Sequence, residues 1–166
     1  MSDQVNQNNL RTETQQWNHF IRSFCWAASL QGSIAYFLMS IHAVNPFISQ
    51  KIFGFDPYYF LWTTMVYGLG IMILSRPAMR PISPVNRIVF GILGSLMFCH
   101  ASMNCFEWLN CMYPERTYLR TFLGFFSGRI MMVHFLAYLY HVDTRTNVPG
   151  VHVHRDRVFE QMYMYP

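Results

Sequence analysis

Four stretches of this chain are almost uninterrupted in apolar residues: 20–44, "FIRSFCWAASLQGSIAYFLMSIHAV"; 58–74, "YYFLWTTMVYGLGIMIL"; 85–109; and 119–140. A helix rises about 1.5 Å per residue and needs about 20 mainly apolar residues to cross the hydrocarbon core, within a range of about 17–25. All four stretches meet that requirement, the second only at its lower edge. Proline-bearing pairs punctuate them. Asp56-Pro57 and Ser83-Pro84 each offer a capping side chain followed by proline at the first helical position. Asn45-Pro46 closes the first stretch, Tyr113-Pro114 follows the third, and "SRPAMRPISP" is too rich in proline to continue either neighbouring helix. The pattern predicts an all-α integral membrane protein. A bundle of four transmembrane helices over 20–140 is flanked by polar, partly extended tails, an N-terminal one over 1–19 and a C-terminal interaction tail over 141–166.

Composition agrees with that reading. Of the 166 residues 52% are hydrophobic and 12% charged, about half the roughly 25% charge of ordinary soluble domains. Mean hydropathy is only +0.15 because polar ends dilute the apolar middle. The N-terminal "MSDQVNQNNLRTETQQWN" has neither an apolar core segment nor an arginine-rich amphipathic pattern. A secretory signal or cleavable transit peptide is therefore not expected there, and entry into an organelle would use internal information. The formal charge of +4 is scattered, with Lys51 the single lysine, and no basic stripe interleaved with aromatics appears. Nucleic acid is not an expected partner.

The basic residues also orient the bundle. An even number of spans puts both termini on one side, with Arg11, Arg22, Arg76, Arg80, Arg87, Arg145, Arg155 and Arg157; Lys51, Arg116 and Arg120 fall on the other. Eight against three places both termini inside, in cytoplasm or mitochondrial matrix.

The candidate chemistry lies in the polar residues within the spans. In the third, His100, Asn104, Glu107 and Cys111 recur at intervals of four, three and four, which is one helix face. The fourth carries Ser127, His134 and His141 at intervals of seven, and Arg129 on a different face. Such groups avoid lipid and mark sites. Three arrangements suit them: an internal Glu107–Arg129 pair, a proton, ion or metabolite path through Glu107, Arg129 and His134, or contacts with neighbouring subunits and lipid headgroups. The third is preferred, because Glu107 and Arg129 sit at different depths by roughly 10 Å and the histidines are widely spaced for a relay. His100 and His134 are the haem candidates, with an expected depth mismatch of roughly 8 Å. Ala28 and Gly32, like Gly124 and Gly128, are small residues four apart, a spacing that lets helices approach closely in lipid.

Cys99, Cys105 and Cys111 look like a metal motif, but six-residue steps turn a helix by about 600° and send the thiols to three faces. Cys25 belongs near the opposite membrane face, and all four read as small apolar fillers. No HExxH, CxxC, phosphate-cradling glycine loop or nucleophile elbow occurs in the chain. The tail offers Phe159, Met162, Tyr163 and Tyr165, residue types favoured at protein interfaces. The expectation is a non-catalytic accessory subunit of a large membrane complex, with other subunits and membrane lipids as partners. The mitochondrial inner membrane, in a respiratory or ATP synthase complex, is the expected setting. No metal or cofactor is expected, and a bound phospholipid such as cardiolipin is. A small carrier and a haem-binding redox subunit are the alternatives.

Overall fold

A computed structural model of the chain describes residues 2–146, with side chains from 15 to 145. Helix α1 spans Ser2–Val44, α2 Pro46–Phe53, α3 Tyr58–Leu74, α4 Pro84–Met112 and α5 Thr117–Thr146, with one 3-10 turn at Pro77–Met79. Helix α1 packs on α3, α3 on α4, and α5 lies against α1 and α4. Three helical segments, Gln15–Val44, Pro84–Met112 and Thr117–Arg145, are long and apolar enough to cross a membrane. The count reaches four if α2 and α3, bent by 97° at their junction, form one broken span. The architecture is all-helical among the described residues and compatible with a multi-pass membrane protein.

Two expectations meet a different local structure. The polar stretch 1–19 is not an extended tail over its described part, because α1 already begins at Ser2. Those residues include no glycine or proline. Extending an existing helix fixes one residue per new hydrogen bond, so nothing local stops it. Connector 46–53 is likewise helical. Pro46 starts α2 with its ring at the first turn, and Gly54 ends it in the left-handed region at φ 75°. The tail residues Phe159, Met162, Tyr163 and Tyr165 lie outside the described residues.

The core is held by close backbone approach. At the α1–α3 crossing a methyl added to Gly32 would stand 2.6 Å from the Cα of Gly68. Around that crossing Ala28, Ala35, Tyr36 and Met39 of α1 meet Leu61, Met65, Leu69 and Met72 of α3, all buried. Helix α4 turns inward a stripe of Gly91, Ser95, Cys99, Ser102, Phe106 and Leu109. Gly124 and Gly128 of α5 lean on Val44 and Ser40, and Gly128 also touches Phe106. Lipid tails are as apolar as leucine, so tight packing and hydrogen bonds hold such helices together, and small residues are what permit it.

Polar tethers gather at the two ends of the bundle. At one end Arg87 donates from Nε and Nη2 to the carbonyl of Leu74, at 2.9 and 2.6 Å, satisfying an acceptor left open where α3 stops. Asp143 there accepts from the backbone N–H of Ala78 at 3.2 Å and faces Arg76 at 3.5 Å, tying α5 to the 3-10 turn. At the other end Asn110 donates to the carbonyl of Ala43 at 2.9 Å, and Asn45 to Thr121 Oγ1 at 3.1 Å.

Candidate functional site

The α4 stripe of His100, Asn104, Glu107 and Cys111 is exposed along its whole length. The buried stripe of the same helix, Cys99–Ser102–Phe106–Leu109, precedes or follows each of these positions by one or two residues. At about 100° per residue, the polar stripe therefore lies on the side away from the core. The ring of His100 stands edge-on to Trp62 of α3, with centroids 5.2 Å apart. Among the described residues Asn104 and Glu107 make no side-chain hydrogen bond or ion pair to another side chain.

Helix α5 turns Gly124, Gly128, Met132, Leu139 and Asp143 inward, while Arg129 and His134 are exposed. Phe135 stacks on Phe98 of α4 at 4.2 Å, whereas Phe125 approaches Phe37 of α1 at 6.4 Å. Arg129 follows Phe125 by one helical turn, so it shares the α1 flank and points away from α4. Glu107 and Arg129 thus face different directions, and no ion pair joins them. The Nδ1 of His134 lies 2.9 Å from the carbonyl of Ile130 in its own helix.

Direction also separates the haem candidates. Phe98, two residues before His100, faces α5, and His100 is rotated about 200° from it onto the α3 side. The two imidazoles do not open onto one gap. The cysteines divide by face: Cys99 is buried, Cys105 half-buried and Cys111 exposed, all with free thiols. Among the described residues no group of three or more His, Cys, Asp or Glu side chains is placed to hold a metal ion.

One constellation was not legible in the sequence. His42, near the end of α1, meets the Ser49 hydroxyl of α2 through Nδ1 in a short hydrogen bond. Its Nε2 lies 3.4 Å from Asp56 Oδ1, which also accepts the backbone N–H of Tyr58 at 3.1 Å. The Ser49 hydroxyl also lies 3.0 Å from the carbonyl of Pro46, to which it donates, so the imidazole, the hydroxyl and the carbonyl form one short chain. Serine, histidine and aspartate are the residue types of acyl transfer, but Ser49 is 5% exposed and leaves no approach for a substrate carbonyl. The arrangement acts as a strut that fastens the α2 elbow and the start of α3 to the end of α1. The signal in the sequence was a seven-residue spacing of His42, Ser49 and Asp56, which means nothing until α2 folds back.

No family model, curated protein or solved structure matches the chain.

Proposed function

We propose that this chain is a non-catalytic subunit of a larger membrane complex, stabilising it through helix contacts. The observation that supports this reading is the outward direction of His100, Asn104, Glu107, Arg129 and His134, all exposed on segments apolar enough to span a bilayer. A charge at the middle of a helix costs at least about 2.5 kcal/mol on insertion scales. Partner side chains or lipid phosphates would offset that cost, and the fold leaves these groups free to meet them. The mitochondrial inner membrane is our preferred setting, with a respiratory or ATP synthase complex as host and both termini on the matrix side. Small size, arginine in place of lysine and the excess of basic residues on the inferred inner side support it. A tightly held phospholipid such as cardiolipin would suit the arginines at the bundle ends.

A carrier would need Glu107, Arg129 and His134 along one water-filled path, and their divergent directions disfavour it. Purification from native membranes in mild detergent tests the proposal. Co-migration with other chains in a large particle is expected. A free monomer whose Glu107→Gln variant loses a measured ion flux would replace this reading with transport.

A further inference from the structure

Helix α2 runs across the direction of α3, its axis bent by 97° at their junction. Membrane spans tilt by about 20° on average from the bilayer normal, so with α3 crossing, α2 lies close to the membrane plane. Helix α3 is itself short. Its 17 residues rise about 26 Å, less than the roughly 30 Å of a hydrocarbon core, whereas the 29 residues of α4 rise about 44 Å. The elbow is a built one: His42 contacts Ser49 of α2 through one ring nitrogen and Asp56, just before α3, through the other.

The sides of α2 differ in character. Ser49 is buried and Phe53 half-buried, which marks the side turned to the bundle. Phe47 and Lys51, each two residues from Ser49, lie about 200° round on the far side. Ile48 and Ile52 share one flank, 36% and 71% exposed. Gln50 is two residues from each and stands on the opposite flank. An apolar flank facing a polar one, both at right angles to the packed side, is the pattern of a helix half-immersed beside a bundle. Phe55, Tyr59 and Phe60 carry exposed aromatic groups on from α2 into the first turn of α3.

We infer that α2 is an interfacial helix, lying flat at the headgroup–acyl boundary at the end of the bundle where α1 stops. Ile48 and Ile52 enter the lipid, Gln50 faces water, and the bilayer itself covers the apolar flank. Such helices sink their apolar face about 5–10 Å into the boundary, which supplies the depth that α3 lacks. The long stem of Lys51 lies along the apolar layer while its ammonium reaches the phosphates. In water above the bundle, Phe47, Ile48, Ile52 and Phe55 would together form an exposed apolar patch of the kind soluble surfaces avoid. The placement rests on the chain crossing a membrane and stands independently of the subunit reading.

Photochemical cross-linking tests it. Benzoylphenylalanine is incorporated at Ile52 and, separately, at Gln50 of the full-length chain in its native membrane, and each sample is irradiated. The excited ketone inserts into C–H bonds that it touches, and mass spectrometry of the purified chain identifies the adducts. Both positions are exposed, so neither replacement strikes the packed side. Ile48 serves as a second lipid-side position if the Ile52 chain does not accumulate. Phospholipid acyl adducts are expected at Ile52, several-fold more than at Gln50. Equal lipid yields at the two sites, whether low from a helix in water or high from one dipped into the bilayer, overturn the interfacial placement. Adducts of the Ile52 site with another protein overturn it too and leave the subunit reading standing. Lipid adducts at Ile52 in a chain that runs as a free monomer uphold the placement and remove the subunit reading.

Discussion

The α1–α3 crossing and the outward faces of α4 and α5 solve opposite problems with the same apolar alphabet. At the crossing the backbones nearly touch, with Gly32 against Gly68 and the flanking Tyr36, Met39, Leu61 and Leu69 all at most 1% exposed. On the outward faces the ionisable and amide groups of the spans stand exposed, among large exposed side chains such as Met97, Trp108, Phe122 and Phe126. The ordinary expectation for a membrane bundle is the reverse, with polar groups turned inward and apolar ones to lipid. Here the interior holds its own polar contacts, chiefly Tyr36 donating to Ser102 at 3.1 Å and short serine bonds to local carbonyls. The comparison teaches that the contacts holding the fold and the exposed groups proposed for association belong to different residues, so each can be altered separately.

The largest effect belongs to the crossing. Gly68→Leu puts a branched side chain where even a methyl would press on Gly32 and on the carbonyl of Ala28, 2.6 Å away. Overpacking a rigid contact costs about 1–3 kcal/mol, and because backbone rather than a movable side chain is struck, the upper end applies. Thermal unfolding of the purified chain in detergent should show a large fall in midpoint. An unchanged midpoint would mean that the crossing does not hold the bundle. Next in size is His42→Ala. It removes the imidazole partner of the buried Ser49 hydroxyl, which keeps the carbonyl of Pro46, and releases Asp56, for a local loss of about 0.5–1.5 kcal/mol. Amide hydrogen exchange should quicken from 45 to 57 and stay unchanged in α4 and α5.

How far the sequence could anticipate this depended on whether the signal was local. The apolar run 58–74 became α3, Tyr58–Leu74, without a shift at either end. Asp56 and Pro57 mark its start, and Ser75 to Pro77 begin the break after it. The ends of α4 and α5 overran the apolar runs by a few residues, because a helix continues past the point where its hydrophobicity fades until a breaker such as Pro114 stops the chain. Helix α2 was hidden because eight residues are too few for periodicity to register, and α3, at 17 residues, makes a fourth crossing only together with α2. The intervals of four, three and four put His100, Asn104, Glu107 and Cys111 on one helix face. Periodicity states that a face exists but not which way it points. Direction came only from the contacts of the neighbouring residues, Phe98 on Phe135 and Gly128 on Ser40 and Phe106. The His42–Ser49–Asp56 strut needed the chain to bend back on itself, which no spacing announces.

A smaller effect probes the interior from its polar side. Tyr36→Phe deletes the hydroxyl that donates to Ser102 between α1 and α4 while keeping the ring. Hydrogen bonds between membrane helices average about 0.6 kcal/mol and reach about 1.7. Ser102 also donates to the carbonyl of Phe98 at 2.8 Å and is not orphaned. The loss should therefore sit near the average, as a small fall in unfolding midpoint. A fall as large as that of Gly68→Leu would mean that polar contacts, rather than close packing, hold the core.

The smallest effect on the bundle, and the sharpest test of the comparison, is Arg129→Leu. The side chain is exposed on the α1 flank of α5 and has no hydrogen bond or ion pair among the described residues. Its removal should change the unfolding of the purified chain by no more than about 0.5 kcal/mol, as for other surface positions. Insertion of α5 should improve, because arginine at a helix centre is disfavoured by about 2.5–3.5 kcal/mol and leucine is favoured by up to about 0.6. On the proposed subunit reading assembly should move the other way, since a partner group meeting the guanidinium would lose a charge-assisted bond. A better-inserted, equally stable chain that is depleted from its complex is the expected combination, read by membrane extraction and native electrophoresis of the same sample. If Arg129→Leu instead lowers the stability of the isolated chain as Gly68→Leu does, the guanidinium belongs to the bundle's own packing, and the division between folding and association residues fails at this position.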